Sequence, residues 1–162
     1  MLKKADFYNN LQYANIGNWD RLILYAQCMC ENGGDSELFR NAYNPFSVKA
    51  SKAWKGEVYT LKESWEIVNG KKVIAPDVYR KYPGFSYAIA NYVNFIERLY
   101  PESYEHRNDY KLYYYWLING KRQYATSPTY VTDLVAMYEQ LNVQDFKEAI
   151  NSVWEKKLWA TS

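Results

Sequence analysis

Apolar residues first repeat at helical spacing over residues 19–31, where Leu22, Ile23, Ala26, Met29 and Cys30 cover much of one helix surface. That breadth predicts a largely buried helix. Asn18 can cap it, Asp20 suits its first turn, and Gly33-Gly34 ends it. A second, short helix is predicted over 36–42. The pattern then loses its helical period. Residues 57–60 and 64–68 are rich in residues that favour strands, Asn69-Gly70 suits a two-residue hairpin turn, and a third strand is expected over 71–75. Residues 79–82 read as a short turn. Helices resume from Ser86 to about Tyr100, where Pro101 stops the run. Further helices are predicted from Asp109 to Ile118, from Pro128 to Leu141, and from about Gln144 to Trp159. The expected fold class is α+β and mainly helical: a two-lobed body with a small β-hairpin lobe at about 47–75. A cleft between two such lobes is a natural seat for an extended ligand.

The length of 162 residues suits one domain, 1–162, with a core that needs neither disulfide nor metal. Composition adds one departure, because 18 tyrosines raise the aromatic share to 19%. Tyrosine joins a flat apolar face to a hydroxyl, which suits sugars and equally suits a core where it partly replaces Leu and Phe. A net charge of +2 gives no electrostatic case for a nucleic acid partner. Cys28 and Cys30 would point to different faces of a helix, so they read as small buried hydrophobes rather than a bridge. Lys3-Lys4 are followed by no apolar run, since Asp6, Asn9 and Asn10 interrupt it. No signal peptide is visible and no stretch is long enough for membrane insertion. The expectation is a monomer synthesised in the cytoplasm that reaches its site of action by another route.

Several chemistries are excluded. His106 is the lone histidine, so zinc amidases and His-rich peptidases are out, and no metal or other cofactor is expected. A Cys–His peptidase would have to use a cysteine from the buried helix, with no cation near it in sequence. No phosphate-binding glycine loop is present. Gly34-Asp35-Ser36-Glu37-Leu38 brushes against an esterase pattern that also needs an aspartate three residues before a late histidine, where this chain has Ser103. Carboxylates and tyrosines remain. Glu31 ends an apolar helix, where the dipole and the apolar neighbours both raise a carboxyl pKa, as a glycosidase acid requires. The residue pattern alone fits a solvent-facing glutamate at a frayed helix end at least as well.

Five segments in order carry a resemblance. Ala26-Gln27-Cys28-Met29-Cys30-Glu31-Asn32-Gly33 resembles the A-Q-A-x-x-E-S-G-W-G signature of glycoside hydrolase family 73, the peptidoglycan β-N-acetylglucosaminidases. Asn44-Pro45-Phe46-Ser47-Val48-Lys49 is similar to its N-L-F-G-I-K, and Ser64-Trp65-Glu66 to its T-x-E. Tyr79-Arg80-Lys81-Tyr82 resembles its F-R-x-Y, and Tyr124-Ala125-Thr126-Ser127-Pro128-Thr129-Tyr130 its Y-A-T-D-P-x-Y. The likeness spans roughly residues 20–141. This chain departs from the pattern after Glu31, where a Trp is lost, and at Ser47, Ser64 and Ser127.

The resemblance implies a lysozyme-like fold and hydrolysis of the N-acetylglucosaminyl-β-1,4-N-acetylmuramyl bond, with Glu31 as general acid and peptidoglycan glycan strands as the partner. It implies that Tyr124 sits near Glu31 and orients the N-acetyl group or a water. Glu66 is the candidate base of an inverting enzyme, in which the carboxyl groups stand roughly 6.5–9.5 Å apart; in the alternative the substrate's own N-acetyl group attacks. Glu63 and Glu57 lie close enough to compete with Glu66. Phe46, Trp65, Tyr82 and Tyr124 are candidate sugar platforms, although core packing fits Phe46 and Tyr82 equally. Asn44 either contacts an N-acetyl group or holds its loop, and Tyr130 either lines the cleft or packs. With no visible leader, the expected setting is that of a phage-type endolysin, made in the cytoplasm and acting on the cell wall after release. Two alternatives are a muramidase of the same fold and a non-catalytic glycan-binding or structural module.

Overall fold

The computed structural model describes residues 2–142 and 145–161. It opens with a helix that the apolar pattern does not announce, α1 (Leu2–Tyr13). Among the described side chains of α1, only Phe7 and Leu11 are fully buried, too few for a clear stripe. The end of α1 is finished from outside. The buried guanidinium of Arg21 donates to the carbonyls of Leu11 and Ala14, at 3.1 and 2.8 Å, and so satisfies groups that the helix leaves open. Burial lowers the Arg21 pKa to about 10.

The predicted central helix is α2 (Arg21–Asn32), and nine of its residues are buried. Its cap is Asp20 rather than Asn18. The Asp20 carboxylate accepts the Leu22 amide, which is worth about 1 kcal/mol at such a site, and also the Tyr138 hydroxyl at 2.5 Å. Gly33 closes α2 at φ 65°, with its amide on the Met29 carbonyl. Ser36 caps α3 (Glu37–Ala42).

The β-lobe is a single hairpin, not three short strands. Strand β1 (Val58–Val68) pairs antiparallel with β2 (Lys71–Arg80), and Asn69 and Gly70 both take positive φ, as the tight turn requires. The register shifts between Leu61 and Ser64, where Lys62 and Glu63 face Pro76 alone. Proline has no amide to give the ladder, so a bulge at this point costs little. The lobe extends to Arg80. Tyr79 and Arg80 finish β2 instead of forming a turn, because Tyr79 packs on Leu38 and Ala42 of α3.

The helical body continues with α4 (Phe85–Leu99), α5 (Pro101–Glu105), α6 (Tyr110–Asn119), α7 (Tyr130–Leu141) and α8 (Phe146–Thr161). Gly84, not Ser86, precedes α4. Pro101 ends α4 and opens α5 at its first turn, where its missing amide is harmless. Helix α7 begins two residues after Pro128, and the expected start of the last helix at Gln144 lies outside the described residues. Helices α2 and α7 pack together, and this pairing sets the back wall of the cleft. The tyrosines fill the core with their hydroxyls paired: Tyr114 donates to the Ile23 carbonyl at 2.6 Å, and Tyr92 stacks on Phe46 at 4.0 Å.

Candidate active site

A groove runs between the helical body and the hairpin. Its floor on the body side carries Glu31, and its hairpin side carries Ser64, Trp65 and Glu66. Glu31 reaches the groove because α2 stops there: the left-handed turn at Gly33-Gly34 takes the chain away, and the half-buried last helical turn lines the groove. Asn32 fixes this end. Its amide donates to the Pro45 carbonyl at 2.8 Å, and its side-chain oxygen accepts the Gly34 amide at 3.0 Å. The segment 44–49 is thereby tied to the base of Glu31.

Glu31 is held by a directed chain of hydrogen bonds. The Tyr92 hydroxyl donates to Gln27 Oε1 at 2.7 Å, Gln27 Nε2 donates to the Tyr130 hydroxyl at 3.1 Å, and Tyr130 donates to Glu31 Oε1 at 2.5 Å. Gln27 occupies the acceptor side of the Tyr130 hydroxyl, so the proton points at Glu31. Burial pushes the Glu31 carboxyl from the usual 4.5 up to about 7, while hydrogen bonds from Tyr130 and Ser47 pull it partly back. A carboxyl in this state keeps its proton near neutral pH and can hand it to a leaving oxygen.

The hairpin wall is different in kind. Glu66 is 45% exposed and pairs with Lys49, which also reaches Asp77 at 2.7 Å. Trp65 is 53% exposed, with Lys72 over its ring. The base of the hairpin is tied to the body through Tyr59 and Arg80, and near its tip the Ile67 amide donates to the Thr126 hydroxyl at 3.0 Å.

The other expected residues divide. Tyr124 lines the groove beside Glu31, but its hydroxyl donates to the Phe46 carbonyl, and its ring stacks with Tyr130. Direct contact with the acid falls to Tyr130. Phe46 and Tyr82 are 1% and 4% exposed, so neither offers a face to sugar; Phe46 is sealed beneath Tyr92, and Tyr82 binds Asn91. Asn44 is fully buried and holds its loop, donating to the Val48 and Arg80 carbonyls and accepting the Val48 amide. Glu63 lines the groove and Glu57 does not. Cys30 is half-buried rather than buried, and both cysteines are free thiols that burial pushes up. Among the described residues, no group of three His, Cys, Asp or Glu side chains is placed to hold a metal.

Three contributors escape the residue pattern: Gln27, Ser47 and Lys49. Gln27 sits in the A-Q pair of the first motif and looks like core. Ser47 takes φ 53°, the left-handed region, where the resembling motif has glycine. A departure at a glycine position was the available signal that this loop bends sharply beside the acid.

The family model described as "Glucosaminidase: Mannosyl-glycoprotein endo-beta-N-acetylglucosaminidase" matches residues 9–143. The chain belongs to the glucosaminidase family. It is thus a glycoside hydrolase by descent, and the family resemblance read from the five motifs holds. The peptidoglycan hydrolase FlgJ of Vibrio cholerae is 22% identical over 149 residues, covering 88% of this chain and 44% of its own length. The chain therefore spans less than half the length of that relative. The glycoside hydrolase domain of Salmonella typhimurium FlgJ superposes with a TM-score of 0.63 at 25% identity, covering 88% of this chain and 97% of that one. The catalytic domain of the autolysin Auto from Listeria monocytogenes gives 0.65 at 22% identity, over 90% and 88%. The glucosaminidase family's mainly helical α+β fold, lysozyme-like with a small two-stranded sheet, is the one expected from the sequence.

Proposed function

We propose that this glucosaminidase-family chain hydrolyses the β-1,4 bond between N-acetylglucosamine and N-acetylmuramic acid in bacterial peptidoglycan, with Glu31 as general acid. The observation that carries this reading is the Glu31 carboxyl, raised to about 7 on the floor of an open groove and gripped by Tyr130. The name of the Vibrio relative, a peptidoglycan hydrolase, supports peptidoglycan as substrate. Glu31 gives its proton to the glycosidic oxygen as the bond to the anomeric carbon breaks. Water adds to that carbon, and its proton goes to Glu66, the carboxylate on the opposite wall. Tyr124 and Tyr130 shape the floor around the acid, and Trp65 offers a stacking face to a sugar ring. Opening of the strands weakens the wall and lyses the cell.

A zymogram cast with wall glycan tests the reading. The wild-type chain is expected to clear the gel, and Glu31→Gln is expected to leave it opaque. An opaque gel for both would leave only a glycan-binding module. Mass spectrometry of the fragments checks the bond: reducing-end N-acetylglucosamine is expected, and reducing-end N-acetylmuramic acid would make the chain a muramidase. Proton NMR of the fresh anomer separates inversion, expected for Glu66 as base, from the retention that an attacking N-acetyl group would give.

A further inference from the structure

The groove does not end at Glu66. It continues past the Lys49–Glu66 pair into a second cavity of about 750 Å³, and the two halves share Ser47, Lys49, Glu66 and the Tyr124–Thr126 segment. Their charges are opposite. The half that holds Glu31 adds Glu37, Glu63 and Asp133, all carboxylates. The far half adds Lys52, Arg80, Arg98 and Arg122, all cations. None of these four cations takes part in an ion pair among the described residues. Arg80 is the most telling. It is 6% exposed, and its guanidinium lies against Trp54 and Phe95 and bonds to the Asn91 side chain and the Lys49 carbonyl, all neutral groups. A buried cation with no carboxylate beside it makes the cavity attractive to an anion, in surroundings where a charge pair is weakly screened.

We propose that this basic half of the groove binds the carboxylates of the stem peptide carried by the muramic acid on the leaving-group side of the cut. The inference rests on the glucosaminidase reading above, which puts a muramic acid next to the scissile oxygen. Amino sugars of the glycan are neutral when acetylated; the lactyl-linked peptide brings the negative charge. A strand laid in one direction sets the peptide nearest the cut among Lys52, Arg98 and Arg122 and leaves the neutral N-acetylglucosamine next to the cut on the acidic side. The reversed strand sets the peptide against Glu37, Glu63 and Asp133, and like charges repel it. The polarity of the groove therefore selects the threading direction, as well as substrates that still bear their peptides.

The test compares peptide-bearing glycan, with several carboxylates on each muramic acid, with the same glycan stripped by an amidase, which keeps only the one lactyl carboxylate, using the whole chain and the double variant Arg98→Gln/Arg122→Gln. The wild type is expected to show a KM about tenfold lower on peptide-bearing glycan. The double variant is expected to lose that advantage while keeping its kcat/KM on stripped glycan. Calorimetry with free stem tripeptide is expected to show binding to wild type and none to the variant. Equal KM on both glycans, or an equal loss on both in the variant, would overturn the proposal. If neither glycan is cut but the tripeptide still binds through the two arginines, the enzymatic reading fails and the anion site stands. If the tripeptide does not bind, the site itself is rejected. Preferential binding of a glycerol phosphate oligomer would reassign the cavity to a phosphate and overturn the peptide assignment.

Discussion

The two walls of the groove each present a glutamate, and the two could hardly be held more differently. Glu31 ends a helix with nine buried residues and is gripped by a chain of hydroxyls and an amide that runs back into the core. Glu66 stands on a two-stranded ribbon, 45% exposed, with a lysine as its main partner. A two-stranded hairpin has little stability of its own, and this one is tied to the body at its base and, near its tip, by the Ile67–Thr126 hydrogen bond. Under the proposed mechanism the contrast divides the labour. A group that must hold a proton near neutral pH needs desolvation and a fixed place, which only the packed body supplies. A group that meets water can sit on an exposed ribbon.

The strongest blow to this comparison is Glu31→Gln. Its expected cost is about a thousandfold in kcat or more, the upper range for a general acid. The same variant should be more stable than wild type at high pH. Glu31 binds its proton more tightly folded, at about 7, than unfolded, at about 4.5, so wild-type stability falls as pH rises through that window. Above pH 7 the variant is expected to gain on the order of 3 kcal/mol in urea denaturation, and below pH 4 nothing. A variant no more stable at pH 8 would mean that Glu31 is not desolvated.

Glu66→Gln comes next. Stopped-rate assays on wall glycan are expected to show a fall in kcat of about a hundredfold, smaller than for Glu31. An unchanged kcat would remove the hairpin carboxylate from the chemistry and hand water activation to the substrate. Tyr130→Phe is a finer probe of the body wall. It removes a donor that favours the ionised acid, so the alkaline limb of the pH–rate profile, expected near 7 in wild type, should move upward. The lost orientation should lower kcat by about tenfold. The smallest effect is expected from Ser47→Gly. Relief of the left-handed backbone at φ 53° should raise stability by roughly 0.5–1 kcal/mol in thermal melts, with a slight upward move of the same limb.

Much of the fold was legible in local pattern. Helix α2, its glycine stop, the Asn69-Gly70 turn and the helices after it follow from spacing and from residues with special backbone needs. Helix α1 was not legible, because two buried side chains make no stripe and its end is closed by Arg21 from another helix. The extra length of β2 was missed for a similar reason: Tyr79 and Arg80 extend the strand because α3 and segment 44–49 receive them. Within the groove, the motifs named Glu31, Trp65, Glu66, Tyr124 and Tyr130 as positions of interest. They did not separate Phe46, Tyr82 and Asn44 from these, since an aromatic ring or an amide reads alike whether it faces a sugar or a core.

The sequence by itself narrowed the candidate chemistry to carboxylates and tyrosines, since it holds a single histidine, and it set Glu31 near the end of an apolar helix. It also determined the family, because motif order survives when single residues change. Tertiary structure alone decided which tyrosine touches the acid, which aromatic rings are sealed, and that one groove is acidic at one end and basic at the other. Those are properties of distance and burial between segments far apart in the chain. Arg80 and Arg98 lie 18 positions apart and Arg122 another 24, and only the fold lines one cavity with all three.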